Sequence, residues 1–134
     1  MGGAGGEWEK AGMDDLLVEF LTETNEAIAE LDVELVKLEQ NPNDPKLIAS
    51  IFRLVHTIKG TCGFLGLPRL EQLAHAAENV LGKFRDRELE VTPAAVTLIL
   101  QTLDQIKLLL AALEQTATEP EGEDGALIGR LNAM

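Results

Sequence analysis

The stretch Leu47-Ile48-Ala49-Ser50-Ile51-Phe52-Arg53-Leu54-Val55-His56-Thr57-Ile58-Lys59-Gly60-Thr61-Cys62 decides the architecture. Its apolar members Leu47, Ile48, Ile51, Leu54, Val55, Ile58 and Cys62 recur at spacings of three and four, the repeat of one helix face. On a wheel with Leu47 at zero, this stripe gathers around about 40°. The upstream run Asn41-Pro42-Asn43-Asp44-Pro45 supplies a start signal, because Asp44 can cap and Pro45 suits a first turn. Gly63 to Gly66 break the pattern, so the spacing predicts a helix over 45–62.

Working outward, the same periodicity recurs three more times. Leu17, Phe20, Thr24, Ala27, Ile28, Leu31, Leu35 and Leu38 mark a helix over about 14–40. Leu70, Leu73, Ala74, Ala77, Val80, Leu81 and Phe84 mark another over 68–85. After a second cap-plus-proline signal at Thr92-Pro93, Val96, Ile99, Leu100, Leu103, Ile106, Leu110 and Leu113 mark a fourth over 93–115. Short connections make consecutive helices antiparallel neighbours, which predicts an all-α, up-down-up-down four-helix bundle. Glu119 to Gly125 reads as a loop or linker. A short fifth helix over about 124–132 is marginal alone, so it either docks on the bundle or frays. Residues 1–12 are glycine-rich and unpatterned, and read as an appended extension or disordered tail before a natural start at Met13. The domain then occupies 13–134.

Composition limits the function classes. Hydrophobic residues make up 46% of the 134 and aromatics 4%, with no tyrosine, a balance that favours helices. The formal net charge of −12 argues against nucleic acid as a partner. A single cysteine, Cys62, excludes an intrachain disulfide or thiolate cluster, and it lies on the apolar stripe as a small core residue. No apolar run approaches the roughly 20 residues of a membrane span, and no signal-peptide pattern opens the chain. These features lead us to expect a cytoplasmic monomer with no membrane partner.

The chemistry concentrates on the polar flanks. On the wheel, His56 falls at about 180°, with Phe52, Lys59, Gly63 and Gly60 between about 120° and 220°. An exposed imidazole therefore has a lysine one turn away and two positions without side chains. Glycine in a helix costs about 1 kcal/mol relative to alanine, which makes sense where something bulky must approach the backbone. On the third helix, Glu71, His75, Glu78 and Gly82 share one flank at about 80–140°. If the two flanks meet, a carboxylate can accept the imidazole Nδ1–H and leave Nε2 outward as a nucleophile. The bland alternatives are a plain surface histidine, a solvated lysine and an ordinary His75/Glu78 helical pair. A metal site fits poorly, because bundle metal sites use inward carboxylates and Glu-x-x-His, whereas His75-x-x-Glu78 is reversed and peripheral.

The run His56-Thr57-Ile58-Lys59-Gly60 with Gly63 and Gly66 resembles the signature of histidine phosphotransfer (HPt) domains. Phe64, the spacing of His75-Ala76-Ala77-Glu78-Asn79, the opening Met13 to Phe20 and the short fifth helix narrow the resemblance. They point to the phosphotransfer domains of bacterial chemotaxis histidine kinases of the CheA family. The resemblance covers about 13–133, and Cys62 departs from it where alanine is more familiar. It implies His56 as phosphoacceptor, Glu78 as its hydrogen-bonding orienter, Lys59 and His75 as electrostatic support, and Gly60 as backbone clearance, which the wheel extends to Gly63. A docking surface would include Phe52 and Leu65. The implied partners are an ATP-binding kinase domain and chemotaxis response regulators, with ATP and Mg²⁺ held by those partners and no cofactor here. The domain itself would be substrate and carrier rather than enzyme. A stand-alone phosphorelay protein and a helical scaffold without phosphoryl chemistry are the rival readings.

Overall fold

The computed structural model describes residues 15–134. The expected extension over 1–12 and the start at Met13 lie outside the described residues. Five helices follow in order: α1 Asp15–Gln40, α2 Pro45–Phe64, α3 Pro68–Arg85, α4 Pro93–Thr116 and α5 Gly125–Asn132. The first four pack in a ring, α1 against α2 and α4, and α3 against α2 and α4. No strand occurs among the described residues. This is the expected antiparallel bundle, with its core on the stripes named above.

Leu31, Leu35, Leu38, Ile51, Leu73, Leu81, Ile99 and Leu110 are fully buried. Burying an aliphatic side chain of this size contributes about 1.5–3 kcal/mol, so these layers supply most of the favourable free energy. The caps form as the sequence indicates. Asp44 accepts from the Lys46 and Leu47 amides at 3.1 and 3.3 Å, and the Thr92 hydroxyl accepts from Ala95 N at 3.1 Å.

Two expectations need correction. The second helix runs to Phe64 rather than stopping at Cys62. Gly63 keeps helical geometry, and the turn is made instead by Gly66, whose φ of +71° suits a residue without a Cβ. Contrary to the expectation for apolar runs, α4 is long and apolar enough, by length and composition, to cross a membrane. Its apolar side chains include the buried stripe from Ala95 to Leu113 that faces the bundle core, and Lys107 on its outer face pairs with Asp32 of α1 at 2.7 Å.

The fifth helix docks rather than frays. It packs on α3 and α4 with Leu131 fully buried, and Lys83 of α3 donates to the Met134 carbonyl at 2.7 Å. The segment leading into it forms a strap over the start of α3. That helix begins at Leu67 without a local side-chain cap. Glu119 fills the role from 50 residues away, accepting from the Arg69 and Leu70 amides at 3.0 and 2.9 Å. Arg69 in turn grips Asp124 through Nε and Nη2 at 3.0 and 2.9 Å, and reaches the carbonyls of Pro120 and Glu121. The strap thus anchors the N-terminus of the helix that carries Glu78.

Candidate functional site

The α2–α3 pair makes the most extensive contact in the bundle, and two glycines lie along it. A Cβ at Gly82 would lie 3.7 Å from the Phe52 ring, and one at Gly63 would lie 2.7 Å from the Glu71 carboxylate. Between these two points the antiparallel helices bring His56 and Lys59 of α2 level with Glu78 of α3.

Glu78 is buried, and its carboxylate receives both α2 side chains. The Nδ1–H of His56 donates to Oε2, and the Lys59 ammonium donates to Oε1 at 2.9 Å. Burial pushes the Glu78 carboxyl up, but hydrogen bonds from Lys59 and His56, together with their charges, hold it below its ordinary value. It is therefore an ionised acceptor at neutral pH, and that fixes the imidazole proton on Nδ1. Nε2 is left with its lone pair free on a side chain that is 61% exposed. The arrangement makes an oriented nitrogen nucleophile open to solvent.

The remaining predicted residues fall at different distances from this centre. Over Gly60 the space is open, since a Cβ there would meet nothing within 4 Å. The space over Gly63 is taken by Glu71 of the same chain. His75 is exposed on α3 and makes no hydrogen bond or ion pair among the described residues. It does not join the Glu78 cluster. Phe52 is half-buried, and Leu65 is half-buried against the core. Phe64, the last residue of α2, is 77% exposed. Cys62 is fully buried, and burial first, then the charges of Glu119 and Glu71, pushes its thiol up to about 12. It is a packing residue of the core.

Sequence reasoning missed three features: the Lys59–Glu78 bond, the Phe52 stack on the imidazole, and the strap. Phe52 and His56 are one helical turn apart, so an i, i+4 contact was visible in principle. Beside the site runs an open groove lined by Phe52, Glu78, Asn79, Gly82, Lys83 and Arg85. No group of three His, Cys, Asp or Glu side chains among the described residues is placed to hold a metal.

A helical bundle that displays one carboxylate-oriented histidine to solvent has the form of a phosphotransfer module. The Hpt domain family matches residues 15–119, and the chain belongs to that family. It is 41% identical over 110 residues to the sensor histidine kinase CheAY of Helicobacter pylori, an alignment covering 80% of this chain and 14% of that protein. The chain therefore spans only a small part of the curated relatives it matches. The solution structure of the histidine phosphotransfer domain of CheA superposes with a TM-score of 0.84 at 30% identity, covering 90% of this chain and 92% of that one. The phosphorylated P1 domain of CheA3, solved in complex with CheY6 from R. sphaeroides, superposes with a TM-score of 0.82 at 25% identity, covering 90% and 95%.

Proposed function

We propose that this chain is the phosphoryl-carrying domain of a chemotaxis histidine kinase, with His56 as the group that is loaded and unloaded. The observation that carries the reading is the single geometry around Glu78, which occupies Nδ1 of His56 and leaves Nε2 exposed. In the first step the Nε2 lone pair attacks the γ-phosphorus of ATP held by a separate kinase domain. An N–P bond forms, the bond from phosphorus to the β,γ-bridging oxygen breaks, and ADP departs. Because Nδ1 keeps its proton, attack places positive charge on the ring, and the Glu78 carboxylate opposes it across the Nδ1–H bond. In the second step an aspartate of a chemotaxis response regulator attacks the same phosphorus, the N–P bond breaks, and the imidazole returns to its starting form.

Phosphoryl transfer depends on positioning and charge more than on covalent assistance, so a carrier needs little of its own. The domain is thus substrate and carrier, with ATP and Mg²⁺ handled by its partners. Open space over Gly60 supports an approach along the exposed flank of α2. Lys59 supplies a cation one helical turn from His56, and the family resemblance gives His75 a supporting role at the same site. A cytoplasmic location follows from the need to meet ATP and soluble regulators. The test is to incubate the domain with an active chemotaxis kinase core and ATP, then assay for acid-labile, base-stable phosphate. His56→Gln should not label. Equal labelling of wild type and His56→Gln would overturn the assignment, as would no labelling of either by any chemotaxis kinase core.

A further inference from the structure

A hydrogen bond to Nδ1 does not by itself aim Nε2. The bond fixes one direction, but the imidazole can still tilt about the Nδ1···Oε2 axis. The lone pair of Nε2 lies in the ring plane, so tilt moves it off the line of attack. In-line transfer therefore needs a second constraint, on the plane itself.

The structure provides one. The Phe52 ring lies one turn before His56, with ring centroids 6.0 Å apart and planes only 8° from parallel. This is the offset-stacked range that aromatic pairs prefer. Phe52 is itself held. Its ring edge rests over the bare backbone of Gly82, and the guanidinium carbon of Arg85 sits 4.4 Å from the ring centroid. Arg85 also pairs with the neighbouring Asp86 on the exposed surface, Nε to Oδ1 at 3.1 Å. An arginine above an aromatic face is attracted by the ring quadrupole and limits its rotation.

We propose that Phe52 and Arg85 are positioning residues for His56, setting the plane of the imidazole as Glu78 sets its direction. Phe52 thus acts on the nucleophile rather than only as part of a docking face. The Phe52 ring lies against α3 at Gly82, where a Cβ would come within ordinary contact distance of it, 3.7 Å. The inference rests on His56 being the phosphoacceptor.

The test pairs kinetics with NMR on the intact domain. Phe52→Leu keeps an apolar side chain at a half-buried position but removes the ring. With a chemotaxis kinase core and ATP, its kcat should fall about 5–10-fold while KM for the domain stays within about twofold, the pattern of lost transition-state alignment. Phe52→Trp should restore most of the rate. Arg85→Ala should shift kcat in the same direction by about two- to threefold. In the NMR spectrum the His56 ring protons should lose the ring-current shift from Phe52 in Phe52→Leu. The ¹⁵N pattern of a protonated Nδ1 should persist, because Glu78 is untouched. A rise in KM with unchanged kcat would mark Phe52 as a docking residue and overturn the proposal, as would unchanged His56 ring-proton shifts. Phosphate retained by His56→Gln would instead overturn the acceptor assignment itself, so the two failures are distinct.

Discussion

Replacing Arg69 with alanine tests whether the strap stabilises the domain. The change removes four hydrogen bonds: those of Nε and Nη2 to Asp124 at 3.0 and 2.9 Å, and those of Nη1 to the Pro120 and Glu121 carbonyls at 3.1 and 3.3 Å. The Asp124 side chain is only 5% exposed and would keep Gln105 as its remaining partner at 3.0 Å. Charge-assisted hydrogen bonds contribute about 1.5–3 kcal/mol net, and stripping one partner from a fully buried pair costs about 3–5 kcal/mol. Asp124 is the N-cap residue of α5 and keeps the bond from Gln105, so the loss falls below that of a fully stripped pair, at about 2–3 kcal/mol. For a domain of this size each kcal/mol moves Tm by about 3–5 °C, so the variant should melt about 6–15 °C lower. Thermal melts followed by circular dichroism give that number. Hydrogen exchange should show residues 125–132 losing protection before the four-helix core. Arg69→Lys should recover only part of the loss, because an ammonium cannot reproduce the two-pronged grip. A Tm within about 2 °C of the parent, with unchanged exchange in α5, would show that the strap is incidental.

Other outcomes follow from the same contacts. Glu78→Gln should slow phosphorylation of His56 by about tenfold or more, because it removes the charge behind the Nδ1–H bond. The fold should persist with a similar unfolding midpoint, and unchanged labelling of that folded variant would sink the orienting role. Gly60→Ala meets nothing and should raise stability by about 0.8–1 kcal/mol through helix propensity, measured by urea unfolding. Gly60→Phe should fold equally well but block transfer by occupying the open flank. Cys62 should resist thiol reagents at pH 8 in the folded state and react at once on unfolding, and rapid native labelling would contradict its burial. Finally, Asp124 is held below its ordinary value by the hydrogen bond from Arg69, and Glu78 by those from Lys59 and His56 against its burial. Their contribution to stability is therefore full above the ordinary carboxylate range of about pH 4 and is lost as pH falls through the lower folded values. The difference in unfolding free energy between wild type and Arg69→Ala should narrow across that acid window, and a constant difference would refute the linkage.

Much of the bundle was legible because burial in helices is periodic and local. Leu31, Ile51, Leu73 and Ile99 announce their faces through neighbours three and four positions away. Asp44 and Thr92 likewise cap within their own turn. The wheel also placed His56 and Glu78 on flanks that could meet, and the structure brings them together. What could not be read depends on distance or orientation. Glu119 and Arg69 are adjacent in space but 50 positions apart, and no period links them. The end of α2 depended on which glycine takes a positive φ, and both Gly63 and Gly66 carry the same letter. Lys59 was placed one turn from the imidazole as electrostatic support, yet its actual partner follows from the depth at which Glu78 sits between the helices. The apolar excess of α4 arises because this helix has core residues on a broad arc, which composition alone does not distinguish from a lipid-facing span.

The shared carboxylate has a consequence for how long cargo stays. Lys59 spends its ammonium on Glu78 at 2.9 Å instead of pointing it freely at the loaded nitrogen. On the reading proposed above, an unengaged cation would clamp the phosphoryl oxygens, deepen the loaded state and slow the handover. Making the cation divide itself between a fixed carboxylate and a transient anion keeps the two ends of the relay close in free energy. A courier must hold its parcel loosely enough to give it away.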